Sequence, residues 1–437
     1  KRAQGFAEGI LRVAIALSLA LHNGKAFVNG KLSMLNILIE GKKISGISKK
    51  RFGTEKEIDC NGKIILPGAI DAHVHFRCPG FEHKEDWFSG SLAALHGGIT
   101  TVMDMPNTKP ATDSRNALEE KRAIAKDAMV NKDFFVAATN ENLQEIASIP
   151  DLRGVKVYYG PTTGNILFND SAKLAELFRL SKKNGFVVVV HAEDEETISR
   201  NAKKFAGIED ASVHEKIRSE EAEAKAIAGL IELHKKNGGK LHIAHVSSRK
   251  GIQLIARAKK TKSGKNLTCE ATPNHLFLDS SAYKKLGNLV KCNPSIKSAV
   301  HRKALWKAFV KGTIDIVATD HAPHTQEEKA KKYSEAPSGI PGVETMLPLL
   351  LDAVSRKKIP LKRVVEAVSE KPAQIFNWKT KGLIKKGFDA DLVIIDMKKA
   401  FTVKNEELFT KAKYSPFNGQ RLKCFIAQAI VGGQPYG

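Results

Sequence analysis

Residues 64–80 read IILPGAIDAHVHFRCPG. A run of apolar, strand-forming residues passes directly into Asp71, His73, His75 and Arg77, spaced at every second position. Side chains two apart in an extended chain project to the same side, so His73 and His75 offer two imidazoles to one point in space. Two nitrogen donors at that spacing suit zinc or a similar divalent cation. A lone His-X-His pair is common as plain surface or core histidines, so its weight depends on what surrounds it.

Outward from this stretch, strand-like runs fall at 64–70, 99–104, 134–139, 153–159, 186–191, 240–246, 267–272 and 314–319, with helical segments between them. Asp170-Ser171 caps one helix carrying Leu174, Leu177 and Phe178 on its apolar face and closed by Gly185. Ser219, followed by Glu220 and Glu221, opens another that ends at Gly238-Gly239. Eight such alternations over about 300 residues predict an α/β fold, a (β/α)8 TIM-type barrel. The alternative, a doubly wound sheet, lacks a GxGxxG after its first strand.

The chain on either side of the barrel has a different texture. Residues 21–68 read as short strands broken by Asn-Gly and Glu-Gly turns, and the same texture returns in GFDADLVIIDM (387–397) and CFIAQAIVGGQPYG (424–437). The expected organisation is a small β-sandwich formed from both ends of the chain: 21–68 its first part, 69–379 the barrel, 380–437 its second part. Residues 1–20, KRAQGFAEGILRVAIALSLA, are basic and then apolar for too short a stretch to span a membrane. They read as a terminal extension rather than a secretion signal.

Apolar residues make up 42% of the 437 and charged ones 27%, the composition of an ordinary globular protein. The formal charge of +23 raises the question of a nucleic-acid partner. The excess lies mostly in scattered doublets such as Lys182-Lys183, Lys235-Lys236 and Lys331-Lys332, without interleaved aromatics. Solvated helix faces and attraction of small anionic substrates explain it better, so neither a nucleic acid nor a membrane is expected as partner. The five cysteines (Cys60, Cys78, Cys269, Cys292, Cys424) are scattered and form no CxxC, which fits a reducing cytoplasm.

A barrel of this type carries its chemistry where the strands end. Lys156 lies in the fourth strand, His191 ends the fifth, His245 the sixth, and Asp320 follows the eighth. Each stands where a core residue would be apolar, and a buried Lys without a partner is costly. Taken singly, each could be a satisfied structural residue. Six polar residues at the ends of barrel strands, the two of the first strand included, are read together as one constellation.

The chain closely resembles the dihydroorotases, metal-dependent cyclic amidohydrolases of the amidohydrolase superfamily. The resemblance covers essentially everything after residue 20. It rests on LPGAIDAHVHFRCPG, GGITTVMDMPNTKP, GVKVYYGPTTG, VVVHAEDE, LHIAHVSS, CEATPNHLFL, KCNPSIKS, ATDHAPHT, SGIPGVETMLPLLL and GFDADLVIID. The resemblance implies two divalent metal ions, zinc by preference, with His73 and His75 on the more buried one and His191 and His245 on the other. It implies a CO2-derived carboxylate on Lys156 bridging both, and Asp320 as ligand and proton shuttle for a bridging hydroxide. Arg77, Asn107, Asn293 and His324 fall at the family's substrate-contacting positions. Thr162 and Thr163 fall on its loop over the site, and Gly339, Pro341 and Gly342 on a second substrate-facing loop.

The implied reaction is reversible hydrolysis of dihydroorotate to N-carbamoyl-aspartate, in pyrimidine biosynthesis. The sister activities are hydantoinase, dihydropyrimidinase and allantoinase; a competitor of another class is an inactive scaffold that has lost its ligands. Arg77 argues against the first two activities, whose neutral substrates need no carboxylate clamp, and all six ligand positions are filled here. Cys78 stands where the family usually has an acidic residue and Asn274 where it usually has His. Some members carry Asp in place of the bridging Lys, so the role of Lys156 depends on the GVKVYYGPTTG match. A small-molecule substrate is implied; a homo-oligomer and an association with aspartate transcarbamoylase are left open.

Overall fold

The computed structural model describes residues 18–161 and 167–437. Thr162 and Thr163, and residues 1–17 of the expected extension, lie outside them.

Eight parallel strands follow one another around a barrel in chain order. They are Ala69–Val74, Ile99–Asp104, a third interrupted at Phe135 (Asn131–Phe134 and Val136–Ala137), Gly154–Tyr159, Val187–Ala192, Leu241–Ile243, Leu267–Ala271 and Ile316–Val317. The ring closes by a parallel bridge between Val74 and His321, with the His75 amide donating to the His321 carbonyl at 2.8 Å. Asp71 reinforces the seam by accepting from the Thr319 amide at 2.9 Å and from its hydroxyl at 2.5 Å. The residue after Thr319 is Asp320, so this seam fixes where its carboxylate stands.

Strand alternation decides which side chains face inward. In the fourth strand Val155 and Val157 pack outward with Leu174, Leu177 and Phe178 of the helix Ser171–Asn184. Lys156 and Tyr158 therefore point into the barrel. In the fifth strand Val188 and Val190 join the outer core while Val187 and Val189 line the interior, and His191 continues the inward row. Phe135 and Phe376 close the barrel floor, edge to face at 5.7 Å. The helix ends follow their caps. Asp170 accepts from the Ala172 and Lys173 amides, Gly185 takes φ 83°, and Ser219 caps the helix Glu220–Asn237.

The strand read as 64–70 is in fact two. Ile64–Pro67 belongs to the sandwich, and Ala69–Val74 starts the barrel. Gly68 lies between them, and no side chain fits there, since a Cβ would lie 2.1 Å from Thr100 Oγ1. One sandwich sheet runs Gln434–Tyr436, Phe425–Val431, Leu392–Asp396, Ile64–Pro67, Lys25–Val28, Lys31–Met34. Strands from both ends of the chain thus lie side by side, as the two β-rich textures predicted. The second sheet runs Lys43–Ser48, Asn36–Glu40, Ser18–His22, Lys56–Asp59. Leu21, Ile37, Ile65, Leu392 and Ile430 fill the space between the sheets.

Ser18–His22 starts inside the segment read as an extension. Leu19 and Leu21 are buried, and the strand pairs antiparallel with Asn36–Glu40 and parallel with Lys56–Asp59. Leu19, inside that segment, thus belongs to the sandwich core together with Leu21. Among the described residues no helix is long and apolar enough to cross a membrane.

Candidate metal centre and substrate cavity

One cavity at the carboxyl end of the barrel is lined by His73, His75, Arg77, Asn107, Lys156, His191, His245, Asn293, Asp320 and Gly339, together with Tyr158, Ala322 and Ser338. The structure thus brings ten of the sequence-derived candidates to one place. Three of them, Arg77 (φ 64°), His245 (φ 33°) and Asp320 (φ 49°), have left-handed backbones, a conformation that costs a non-glycine residue roughly 1–3 kcal/mol. His324 stands behind Arg77 rather than in the wall. Pro341 and Gly342 do not reach the cavity: they border a neighbouring recess with His321, Thr345 and Tyr414, and the Gly342 amide donates to His321 Nδ1 at 3.1 Å.

The hydrogen bonds around the histidines decide which nitrogens face inward. Glu270 Oε1 can only accept, so His73 Nδ1 donates to it at 2.5 Å. His75 Nδ1 donates to Asn107 Oδ1 at 2.6 Å. With both Nδ1 hydrogens committed outward, the Nε2 atoms turn toward Asp320 Oδ1, at 3.3 and 3.1 Å. Ligand atoms of His73, His75 and Asp320 all lie within 4.8 Å of one another. Three electron-pair donors facing one another in a buried site fit a divalent cation between them.

The second pair sits beside the first. His191 Nε2 donates to Glu193 Oε2 at 2.9 Å, which leaves Nδ1 as the lone-pair atom, 3.1 Å from His245 Nε2. His245 Nδ1 is buried with no hydrogen-bond partner among the described residues, and the His245 ring centroid is 5.3 Å from that of His73. An orphaned imidazole nitrogen among other nitrogen ligands again fits a metal. Lys156, 1% exposed, has no hydrogen-bond or ion-pair partner among the described residues, and its Nζ lies 5.4 Å from the centroid of the Tyr158 ring. Burial pushes its ammonium down to about 8, against the pull of Glu270 and Asp320.

Arg77 is 4% exposed. Its Nε donates to the Pro323 carbonyl at 3.2 Å, and Nη2 lies 3.1 Å from His324 Nε2. Among the described residues no carboxylate lies within ion-pair distance of it. A buried guanidinium without a counterion is a costly arrangement for structure alone, and it is a ready partner for an anionic ligand.

Sequence reasoning missed the layer that orients the ligands. Glu270 accepts from His73 and lies 3.1 Å from His242 Nε2. Glu193 is held by Arg218, whose other terminal nitrogen donates to the Pro161 carbonyl. Both acids were detectable in principle. Glu193 repeats the inward parity two residues after His191, and Glu270 is the only charge in the apolar seventh strand.

Three further imidazoles around the cavity are buried and neutral: burial pushes His214 and His324 down to about 3 and His275 to about 4. Unfolded, each protonates near pH 6.5. Below that pH the unfolded chain binds more protons than the folded one, so stability present above about pH 6.5 is lost toward pH 4. Each imidazole contributes up to about 1.4 kcal/mol per pH unit. His275→Gln should make the fall in unfolding midpoint between pH 6.5 and 4.5 shallower, measured by urea titration. An unchanged slope would assign the acid sensitivity elsewhere.

The chain matches the amidohydrolase family over residues 64–435. A dihydroorotase of Halobacterium salinarum is 39% identical over 404 residues, covering 91% of this chain and 92% of its own. One of Methanosphaera stadtmanae is 38% identical, covering 92% of each. Among solved structures, the L-hydantoinase (dihydropyrimidinase) of Arthrobacter aurescens superimposes with a TM-score of 0.91 at 30% identity, covering 95% of both chains. The dihydropyrimidinase of Brevibacillus agri gives 0.89 at 26%, covering 96% of this chain and 94% of its own. Sequence relatives and structural neighbours thus share a family but carry names for different ring substrates.

Proposed function

The chain belongs to the amidohydrolase family, and from that premise we propose that it catalyses the reversible ring opening of dihydroorotate to N-carbamoyl-aspartate. The observation that carries the choice of substrate is Arg77. A buried guanidinium lacking an ion-pair partner among the described residues matches the carboxylate that dihydroorotate has and that dihydrouracil and hydantoin lack. Sequence relatives named dihydroorotase, covering most of both chains, support the same reading.

On this reading His73, His75 and Asp320 would hold one divalent cation, zinc by preference, and His191 and His245 a second, with Lys156 as a further ligand if it carries a CO2-derived carboxylate. Cations bound there supply a water of lowered pKa and polarise the scissile carbonyl. Everything else falls to side chains of the chain. Arg77 holds the substrate carboxylate and so fixes the ring over the cluster. Asp320 takes the proton of the attacking water on its carboxylate and passes it to the ring nitrogen as the C–N bond breaks. Glu270, Asn107 and Glu193 keep the histidine tautomers from drifting. In reverse, Asp320 accepts the ureido N–H proton as the ring closes and returns it to the carboxyl oxygen that leaves as water. The five cysteines are free and buried, which supports a reducing, cytoplasmic setting.

Arg77→Met tests the assignment. Loss of a charge-assisted carboxylate contact should lower kcat/KM for dihydroorotate roughly 30- to 1000-fold. Metal content should not change, because the Arg77 guanidinium is bonded to the Pro323 carbonyl and approaches His324, neither of them a proposed ligand. Dihydrouracil should be a poor substrate of the wild type and no worse in the variant. Equal losses on both substrates, or a wild type that prefers dihydrouracil or hydantoin, would sink the dihydroorotase reading in favour of the activities named for the structural neighbours.

A further inference from the structure

Asn293 lines the cavity, and its side chain is not left to choose its own orientation. His214, on the short helix His214–Ile217, sends Nε2 to two oxygens, the Cys292 carbonyl at 2.9 Å and Asn293 Oδ1 at 3.0 Å. A carbonyl can only accept, so Nε2 carries the hydrogen. A flipped Asn293 would then set NH2 against N–H, two donors face to face. On the other side of the ring His214 Nδ1 lies 2.8 Å from the Tyr333 hydroxyl. In a neutral ring with hydrogen on Nε2, Nδ1 must accept, so the phenol donates.

We propose that His214 is a positioning residue that holds the Asn293 amide with Oδ1 turned outward and NH2 presented to the substrate, with Tyr333 holding the imidazole in the required tautomer. This deepens the dihydroorotase reading and rests on it: position 293 then serves only an oxygen acceptor, a ring carbonyl or the carboxylate. It also makes a distinction the composition of the cavity does not. A free Asn could turn either its donor or its acceptor to a ligand, whereas this one offers a donor only. Burial next to Arg218 and Lys291 disfavours a second proton on His214, in keeping with the accepting Nδ1.

The test is a set of variants of the metal-loaded enzyme assayed with dihydroorotate, reading KM and kcat separately. Asn293→Ala should raise KM roughly 5- to 15-fold, the worth of one neutral hydrogen bond in a closed site, with kcat within about threefold. His214→Phe should reproduce most of that rise. Because His214 acts through Asn293, adding His214→Phe to Asn293→Ala should cost less than about twofold more. His214→Gln, which keeps an N–H near Nε2, should stay near wild type. Tyr333→Phe removes one hydroxyl and no packing volume of note, and should raise KM roughly two- to fivefold. It keeps the test open if His214→Phe folds poorly. Multiplying penalties in the double variant, or an unchanged KM in Tyr333→Phe, would overturn the inference while wild-type turnover stands. A wild type without dihydroorotate turnover would instead bring down the substrate reading and this inference with it.

Discussion

Asp320→Asn should lower kcat by about 10²- to 10⁴-fold, the usual contribution of a positioned general acid–base group, and leave KM within a few-fold. The substitution is mild on the backbone. Position 320 sits at φ 49°, where Asn is among the few side chains that are comfortable. What disappears is the carboxylate that faces both His73 and His75, and with it the atom proposed to carry a proton from water to ring nitrogen. Binding should survive, since on the same proposal Arg77 holds the substrate carboxylate in the ground state, independently of the shuttle. Metal analysis of the variant belongs in the same experiment. Turnover that falls only in proportion to lost metal would make Asp320 a ligand alone, and a rise in KM with unchanged kcat would assign it to binding.

Lys156→Ala should bring turnover down by at least about a thousandfold, because the contribution of a bound cation to this chemistry is several kcal/mol and no other side chain stands in its place. Burial has moved the Lys156 amine to about 8, so near neutrality a useful fraction is unprotonated. That amine nitrogen can add to the carbon of CO2 and release one proton, leaving a carbamate. The adduct would turn an ammonium-forming side chain, which has no ion-pair partner among the described residues, into an anion suited to bound cations. Truncation to Ala empties the volume the carbamate would occupy. Acetate or propionate should enter it and restore part of the turnover, in a manner saturable with acid concentration. Full activity without added acid would make Lys156 a structural residue, and the metal reading would then need a different bridge.

Much of this site could be read from the chain because strand parity is a strong constraint. Once Val155 and Val157 are assigned to the helix layer, Lys156 has nowhere to point but inward, and the same holds for His191 between Val190 and Ala192. The helices at Ser171 and Glu220 were legible for a local reason too, since their caps sit within a few residues of the ends they define. Long-range partners were not. Glu270 is 197 residues from His73 in sequence, and a single acid in an apolar strand carries no mark of which ring it will meet. Pro341 and Gly342 were grouped with Gly339 because they share a loop, yet only Gly339 faces the cavity. Its φ of 153° and the approach of the Ala322 carbonyl leave no room for a side chain. The run IILPGAI reads as one strand because hydrophobicity does not change at Gly68; what divides it is a change of partners, sandwich strands before Gly68 and the barrel strand Ile99–Asp104 after it, invisible in a local window.

The strand Ile64–Pro67 has Lys25–Val28 on one side and Leu392–Asp396 on the other. On a ribosome these neighbours do not arrive together. The first is already made when Pro67 emerges, but the second follows about 320 residues later, which at roughly 5–20 residues per second is a quarter of a minute to a minute. For that interval the nascent chain carries an unpaired edge of Ile64, Ile65 and Leu66, the kind of edge that recruits strands from other chains. The barrel between the two can assemble in chain order, each strand beside the one just synthesised. The sandwich cannot, so the last step of biogenesis is the return of the carboxyl-terminal strands to a sheet begun at the other end of the message. Slowing elongation, or releasing the chain short of residue 392, should therefore harm solubility far more than its effect on the barrel would suggest.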